Sequence, residues 1–380
     1  MDFTLNDEQR MLDDTVTRLV RERYGFEQRT RYGKEAKGYS AETWALLAEL
    51  GLLSVPFSEE DGGIGGGGAE LMILHQAFGR GLTLEPYLAT VVLGGGLLAR
   101  LGSPAQREAV LPGVIAGETT LALAYAEPAG RYDPLWIETR AEPTAGGHRL
   151  TGRKAVVLHG DSADRLVVTA RTSGKPGGKP GERAGVSAFL LDPAQAQVSV
   201  RGYATIDGLR AAEVVLDGAA AELLGAEGGA ADALEAVLAT GCVALCAEAV
   251  GAMEAACELT LDYLKTRQQF GAPIGRFQVL QHRMVDMRIA LEQARSMAIL
   301  GACSLHLPTP ERERKVAAAK ALIGNAGRLV AEQAIQMHGG MGMTDEAAIS
   351  HYAKRLVMID HWLGDSDHHL ARFVALPEAA

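Results

Sequence analysis

Residues 263–282, YLKTRQQFGAPIGRFQVLQH, constrain the fold more than any other stretch of the chain. Apolar and aromatic residues recur at helical spacing at its start, and a second helical pattern begins near Arg276. Gly271-Ala-Pro-Ile-Gly275 separates the two patterns, since proline and glycine disfavour a continuous helix. We therefore predict Arg267 in the last turn of a helix, beside a bend. A basic residue there suits the helix dipole, so an ordinary helix end is the alternative to a ligand site.

The hydrophobic pattern changes twice along the chain and predicts three domains. Residues 1–119 are predicted to be helical, with helix starts at Asn6, Ser40 and Ser103. Residues 120–222 alternate in polarity and predict a small antiparallel β domain or barrel, with strands at 121–126, 136–140, 149–158, 165–170, 186–191, 198–203 and 212–216. Residues 223–380 predict a helical bundle, with segments at 230–265, 276–305, 309–338 and 345–373. The order indicates an α+β multidomain protein.

Composition excludes several classes of protein. The formal net charge is −10 without a basic cluster, so nucleic acid is not the expected partner. The sequence has no run of about 18 uncharged apolar residues, so we do not expect a membrane span. The first residues lack the features of a signal peptide, and the four cysteines do not form a disulfide pattern, so we expect a cytoplasmic protein with cysteines buried in its core.

The string Tyr-x-x-x-Arg-x-x-Phe-Gly-x-Pro-Ile-x-x-Phe-Gln, at 263–278, resembles the signature of the acyl-CoA dehydrogenase family. The resemblance implies that Arg267 reaches the pyrophosphate of a neighbouring subunit's FAD. A guanidinium offers fixed donors to phosphate oxygens and stays charged. It also implies that Phe270, Phe277 and Gln278 line the flavin site.

A second motif, Gln336-Met-His-Gly-Gly-Met-Gly, lies about 70 residues further on. By itself it would be a helix stop and turn. In the family, however, this segment lies along the ADP half of FAD, which implies cofactor contact for Gln336, Gly339 and Gly340. Glycine suits that place because a backbone without Cβ can approach a dinucleotide closely.

A third match, Tyr125-Ala-Glu-Pro-Ala-Gly-Arg131, resembles the family segment that contacts the flavin ring and borders the acyl-CoA cleft. It implies cofactor contact for Tyr125 and Ala126. Ala126 replaces the usual threonine and Arg131 the usual serine, so a hydroxyl hydrogen bond to the flavin is absent. This form resembles the small subunits of two-subunit acyl-CoA dehydrogenases, such as pimeloyl-CoA dehydrogenase.

The family's catalytic base is not present at either of its usual positions. The glutamate position near the C-terminus corresponds to Leu363, and a second position on the long helix falls near Gly241. Asp365 is the candidate base and, with Asp367, also aligns with family positions that contact FAD. His368 and His369 beside Asp365 raise the alternative of a metal, but neighbouring residues on a helix point in different directions, so we predict none.

The resemblance implies a fold with an N-terminal helical domain, a central β-barrel domain and a C-terminal four-helix bundle. It implies FAD-dependent α,β-dehydrogenation of an acyl-CoA, with electron-transferring flavoprotein or a similar acceptor. The expected assembly is a homodimer, or a heterotetramer with a homologous large subunit. Two alternatives stay open: a catalytically silent subunit that completes a partner's FAD site, and a flavin-dependent oxygen-using enzyme of this fold.

Overall fold

The computed structural model describes residues 4–179 and 181–377. The chain divides into two compact units, one of residues 1–31, 67–83 and 242–380, the other of residues 32–66 and 84–241. Pro180, between the predicted strands 165–170 and 186–191, is outside the described residues. The signal-peptide prediction and the outer limits of the predicted domains rest partly on terminal residues that are also outside them. The predicted domain boundaries stay a prediction.

Helices occupy the N-terminal third, as predicted. Their bounds are α1 Asp7–Arg23, α2 Phe26–Tyr32, α3 Ala41–Glu49, α4 Gly68–Gly81, a π-helix Leu88–Gly95, α5 Gly96–Leu101 and α6 Pro104–Ile115. The three predicted starts are confirmed as N-caps, because Asn6, Ser40 and Ser103 each accept a hydrogen bond from the backbone N–H three residues later. Side-chain capping explains why these starts were visible in the sequence.

Among the residues described between 121 and 224, seven strands form one sheet. They are β1 Leu121–Ala124, β2 Arg140–Thr144, β3 Gly147–Leu158, β4 Arg165–Arg171, β5 Val186–Leu191, β6 Val198–Ala204 and β7 Arg210–Leu224. The long β7 pairs antiparallel with β3, β5 and β6, while β4 pairs parallel with β1 and antiparallel with β5. β2 pairs antiparallel with β3 and touches β4 at one residue pair. Apolar residues such as Leu150, Phe189 and Val214 form the buried face of the sheet.

The strand predicted at 136–140 is displaced, and its position was wrong. β2 begins only at Arg140, because the backbone N–H groups of Glu138 and Thr139 donate to the Glu127 carboxylate instead of to a neighbouring strand. The Glu127 side chain therefore accepts the backbone hydrogen bonds that would otherwise extend the pairing of β2.

The C-terminal region is helical, as predicted. Its elements are α7 Ala231–Thr266, the short strands β8 Gln268–Gln269 and β9 Ala272–Pro273, α8 Gln278–Ala302, α9 Thr309–His338, α10 Ala348–His361 and α11 Ser366–Ala375. The predicted bend is confirmed as a small β-hairpin followed by a 3₁₀ turn, Ile274–Arg276. The last predicted segment, 345–373, is not continuous: the chain is extended at Trp362 and has positive φ at Leu363 and Gly364, which separates α10 from α11.

Two glycines allow α4 and α7 to pack with their backbones in contact. A Cβ on Gly79 would overlap the main-chain oxygen of Glu248, and a Cβ on Gly251 would overlap that of Gln76. The Ala- and Gly-rich composition of α7 is therefore explained by close helix packing. Among the described helices, α7 alone is long and apolar enough to cross a membrane, and 94% of its most apolar window is buried inside the protein.

The cysteine prediction is correct for three residues. Cys242, Cys246 and Cys257 are buried, whereas Cys303, at the end of α8, is exposed. All four are free thiols.

Candidate cofactor and substrate site

Arg267 lies directly after α7 and opens the hairpin. Its N–H donates to the Tyr263 carbonyl at 2.8 Å, and its own carbonyl accepts from the N–H of Ile274 at 2.9 Å. The backbone is therefore held at both ends, while the side chain is exposed. Within the described residues, no carboxylate forms an ion pair with its guanidinium. These donors are available to an anion from outside the chain.

The hairpin presents aromatic surface beside Arg267. Phe270, at its tip, has φ +54° and is 91% exposed. The Phe277 ring meets it edge to face at a centroid distance of 6.0 Å, and Gln278, the first residue of α8, is also exposed. An apolar side chain so exposed at a strained backbone position indicates a surface that another molecule covers.

The second motif forms the end of α9 and a 3₁₀ turn, Gly339–Met343. The N–H of Gly339 closes the helix on the carbonyls of Gln336 and Ile335, and its φ of 62° with ψ of −141° is a conformation suited to glycine. The helix-stop interpretation is therefore correct for Gly339. Gly340 has no such strain, and a Cβ on either glycine would meet no atom within 4 Å. Both glycines and Gln336 are exposed, so the turn leaves open backbone at the surface.

The third motif follows β1, in the other unit. The Ala126 carbonyl accepts from the N–H of Ala155 at 2.9 Å, where a bulge interrupts the pairing of β3 with β7. The Tyr125 carbonyl accepts from the Lys154 ammonium at 3.3 Å. Both carbonyls of the predicted flavin-contact segment are thus fixed from β3.

Glu127 and Lys154 form a buried ion pair beneath this segment, and no role was predicted for either residue. Lys154 Nζ lies 2.6 Å from Glu127 Oε1, and both side chains are almost wholly buried. Glu127 also accepts from the Thr139 hydroxyl at 2.6 Å. Burial alone would raise the pKa of Glu127, but Lys154 and the hydrogen bonds hold it below the usual value. Glu127 follows β1 and Lys154 lies on β3, whose residues are partly exposed, so the sequence carried no signal that singled out this pair.

The turn between α10 and α11 fixes the position where the family's base is expected. Leu363 has φ +59°, and its carbonyl accepts from His369 Nε2 at 2.9 Å. Lys320, wholly buried on α9, donates to the carbonyls of Gly364 at 2.7 Å and Asp360 at 2.9 Å. The turn is therefore rigidly held, although the Leu363 side chain cannot accept a proton.

The two candidate aspartates have different environments. Asp365 is the N-cap of α11, because its carboxylate accepts from the N–H of His368 at 2.8 Å. Asp367 lies in the first turn of α11 and is exposed. The structure thus gives Asp365 a structural role, in which one of its two carboxylate oxygens caps the helix.

Two further groups of this region, the acid Glu248 on α7 and His369 on α11, are paired or buried. Glu248 forms a bidentate ion pair with Arg355, at 2.6 and 2.8 Å, inside the protein. Gly241 is buried within α7. Burial lowers the pKa of His369 to about 3, which keeps the ring neutral as a donor to Leu363. In the described part of the chain, no group of three or more His, Cys, Asp or Glu is arranged to hold a metal ion.

The exposed residues of the two C-terminal motifs fit a dinucleotide such as FAD. The Arg267 guanidinium lacks an acidic partner within the described residues, and the Gly339–Gly340 backbone is open where side chains would otherwise stand. Charged donors beside open glycine backbone suit a pyrophosphate, and exposed aromatic rings suit flat ring systems.

Three domain descriptions together cover most of the chain. Residues 6–118 match the N-terminal domain of acyl-CoA dehydrogenases, residues 122–219 the middle domain and residues 227–375 the C-terminal domain. Acyl-CoA dehydrogenase FadE27 of Mycobacterium tuberculosis is 29% identical, over 98% of this chain and 97% of that protein.

Solved structures share the fold over the whole length. The ChsE4–ChsE5 complex from Mycobacterium tuberculosis contains a chain that superposes with a TM-score of 0.88 at 27% identity, covering 100% of both chains. The FAD complex of PigA superposes with a TM-score of 0.89 at 26% identity, covering 98% of both chains. The expected fold of helical, sheet and helical parts and the FAD cofactor agree with these relatives. The chain belongs to the acyl-CoA dehydrogenase family of FAD-dependent oxidoreductases.

Proposed function

We propose that this chain is the small subunit of a heteromeric FAD-dependent acyl-CoA dehydrogenase that forms the 2-enoyl-CoA. The observation that carries this proposal is the combination of outward-facing FAD motifs with an altered base position. Arg267 and Gly340 offer donors and open backbone at the surface, whereas the turn that should hold the base carries Leu363. A subunit that contributes to a shared site can keep its FAD-binding motifs while it loses the catalytic base.

In this proposal Arg267 binds the pyrophosphate of a neighbouring subunit's FAD, while Gln336, Gly339 and Gly340 contact the ADP half of FAD. Phe270, Phe277, Gln278 and Asp367 border the cofactor, and Tyr125 and Ala126 present fixed backbone to the flavin ring. Bound FAD supplies the hydride acceptor of the reaction. The chain's own role is to bind the cofactor. The base that removes the α-proton of the acyl-CoA lies either on this chain or on its partner.

The proposed partner is a homologous acyl-CoA dehydrogenase chain. Exposed apolar side chains extend from the hairpin along α8, with Val279, Val285 and Ile289 each more than half exposed. A cavity of about 680 Å³ between α7, the hairpin and α8 continues this surface and is lined by Leu261, Met284 and Val285. Such apolar surface is typical of a protein interface. The two-component ChsE4–ChsE5 complex, a relative of known structure, supports a heteromer over a homodimer.

The finer features of the fold belong to the same proposal. The pairing of β4 with β2 and with β5 supports a closed barrel in the middle region. The long helices α7, α8 and α9, together with α10, are the proposed four-helix bundle, within the proposed domain limits 1–119, 120–222 and 223–380. We further propose a cytoplasmic location and electron-transferring flavoprotein or a similar protein as electron acceptor.

Asp365 is the proposed base of this chain, two residues beyond Leu363. Asn can replace Asp as an N-cap but cannot accept a proton. Asp365→Asn should therefore keep the stability of α11 while it abolishes reduction of bound flavin by an acyl-CoA, whereas Asp365→Ala should also cost about 1 kcal/mol of stability. If flavin reduction in Asp365→Asn equals that of the wild type, Asp365 is not the base.

The second candidate is a catalytically silent subunit, and Leu363 favours it. The two functions are separated by purifying the chain alone and with a homologous partner chain, and measuring bound flavin. Each preparation is then mixed anaerobically with acyl-CoAs while flavin absorbance is followed. Flavin bleaching by the chain alone excludes the silent subunit. Bleaching only in the complex, unaffected by Asp365→Asn, excludes catalysis by this chain.

A further inference from the structure

The two C-terminal FAD motifs are joined by a pair of stacked rings. Tyr263, one turn before Arg267, stacks on His338, the last residue of α9, with ring centroids 4.4 Å apart and planes inclined by 24°. The Tyr263 hydroxyl also donates to the His338 carbonyl at 3.4 Å. The contact joins residues 75 positions apart in sequence. Each ring belongs to one motif.

The His338 ring is held in one orientation. Its Nδ1 lies 2.8 Å from the Ala334 carbonyl, which can only accept, so Nδ1 carries the proton. Burial lowers the pKa of His338, which favours the neutral ring. A neutral ring fixed by its own helix gives Tyr263 a rigid surface to pack against.

Each ring is directly connected to the groups that would bind the cofactor. The Tyr263 carbonyl accepts the N–H of Arg267 at 2.8 Å, so Tyr263 belongs to the hydrogen-bonded turn that leads directly to Arg267. His338 is followed directly by Gly339 and Gly340, whose backbone is open at the surface. Helix ends fray when they have few partners. The stack prevents the two helix ends from moving independently.

We infer that Tyr263 and His338 are positioning residues that hold Arg267 and the Gly339–Gly340 turn as one rigid surface for the diphosphate of FAD. The inference rests on the proposed FAD contacts of those two segments. Neither ring needs to touch the cofactor. Pre-organised donors lose less conformational freedom on binding, so the stack contributes to affinity through geometry.

The test compares variants that remove the stack with variants that keep it. Tyr263→Leu and His338→Leu remove one ring each, while Tyr263→Phe and His338→Phe keep two stacked rings. Phe26→Leu is the matched control, because Phe26 makes an edge-to-face contact with His351 at 5.1 Å in the same unit, outside the three motifs. For each variant, in the assembled protein, the FAD dissociation constant is measured by quenching of flavin fluorescence and the melting temperature of the apoprotein is recorded.

Both leucine variants should raise the FAD dissociation constant about three- to tenfold, the range expected for loss of one aromatic pair. The phenylalanine variants should stay within about twofold of the wild type. The double leucine variant should bind FAD no more weakly than the weaker-binding single variant, because either change removes the same ring contact. The inference is overturned if the leucine variants lower the melting temperature but leave the FAD dissociation constant unchanged. It is also overturned if Phe26→Leu raises the FAD dissociation constant as much as the leucine variants do.

Arg267→Met separates this inference from the proposed function. If Arg267→Met leaves FAD affinity unchanged, the proposed FAD contact fails and the inference fails with it. If Arg267→Met weakens FAD binding while both leucine variants bind normally, the FAD contact stands and the positioning role is overturned.

Discussion

Lys320 donates to the main-chain oxygen of Gly364 at 2.7 Å, which ties the middle of α9 to the turn that precedes α11. The same ammonium donates to the Asp360 carbonyl at the end of α10. The side chain of this lysine is wholly buried. The bonds keep Leu363 and Gly364 in left-handed backbone conformations.

Lys320→Met should destabilise the protein by about 2 kcal/mol or more, because it leaves two buried carbonyls without a donor. Lys315→Met is the control on the same helix, where the lysine is partly exposed and pairs with Glu311 one turn away. Such a surface pair contributes at most about 0.5 kcal/mol. Urea denaturation of the three proteins measures the difference, and equal midpoints for both variants would contradict the assigned role of Lys320.

Leu363→Glu should place a carboxylate on a turn that is already rigid. A correctly placed general base contributes about a hundredfold or more to the rate of proton removal. We expect anaerobic flavin reduction by an acyl-CoA at least about tenfold faster than in the wild type. Leu363→Gln has the same shape without a base, so equal rates in the two variants would show that this turn does not face the substrate.

Gly340→Ala should separate cofactor binding from stability. A Cβ there meets no atom of the chain and φ is not positive, so the free energy of unfolding should change by less than about 1 kcal/mol. If FAD lies against this backbone, its dissociation constant should rise about tenfold. Gly146→Ala, at the β2–β3 turn, is equally open and serves as control. Normal FAD affinity in Gly340→Ala would remove this turn from the proposed site.

His369 should make the protein less stable in mild acid. Burial lowers its pKa in the folded state to about 3, against 6.5 for the ordinary side chain. As pH falls below 6.5, His369 takes up a proton in the unfolded chain but stays neutral in the folded protein. The free energy of unfolding therefore falls between pH 6.5 and pH 3. Between pH 7.5 and pH 5 this amounts to about 2 kcal/mol.

The His369→Gln variant should lack that part of the pH dependence, since the Gln amide can still donate to Leu363. His361→Gln, at an exposed position, should retain it. Melting temperatures at pH 7.5 and pH 5 provide the comparison. A pH dependence of His369→Gln equal to that of the wild type would show that another group is responsible.

Much of the fold could be predicted because its signals are local. Asn6, Ser40 and Ser103 cap helices through hydrogen bonds to residues three positions away. Gly271 and Pro273 mark the hairpin after α7. The family motifs are also short strings, so the sequence alone predicts FAD. The strand at 136–140 was misplaced because the group that decided it, the Glu127 carboxylate, lies 11 and 12 residues away in sequence.

The sequence alone therefore determined the family and the main order of helices and strands, and it predicts Leu363 at the position of the expected base. Only the tertiary structure decided that Lys154 pairs with Glu127, that Lys320 holds the Gly364 turn and that Tyr263 stacks on His338. These contacts join residues from 27 to 75 positions apart. Periodicity and turn propensity act over a few residues, whereas the partner of a buried charge or ring depends on which segments pack together.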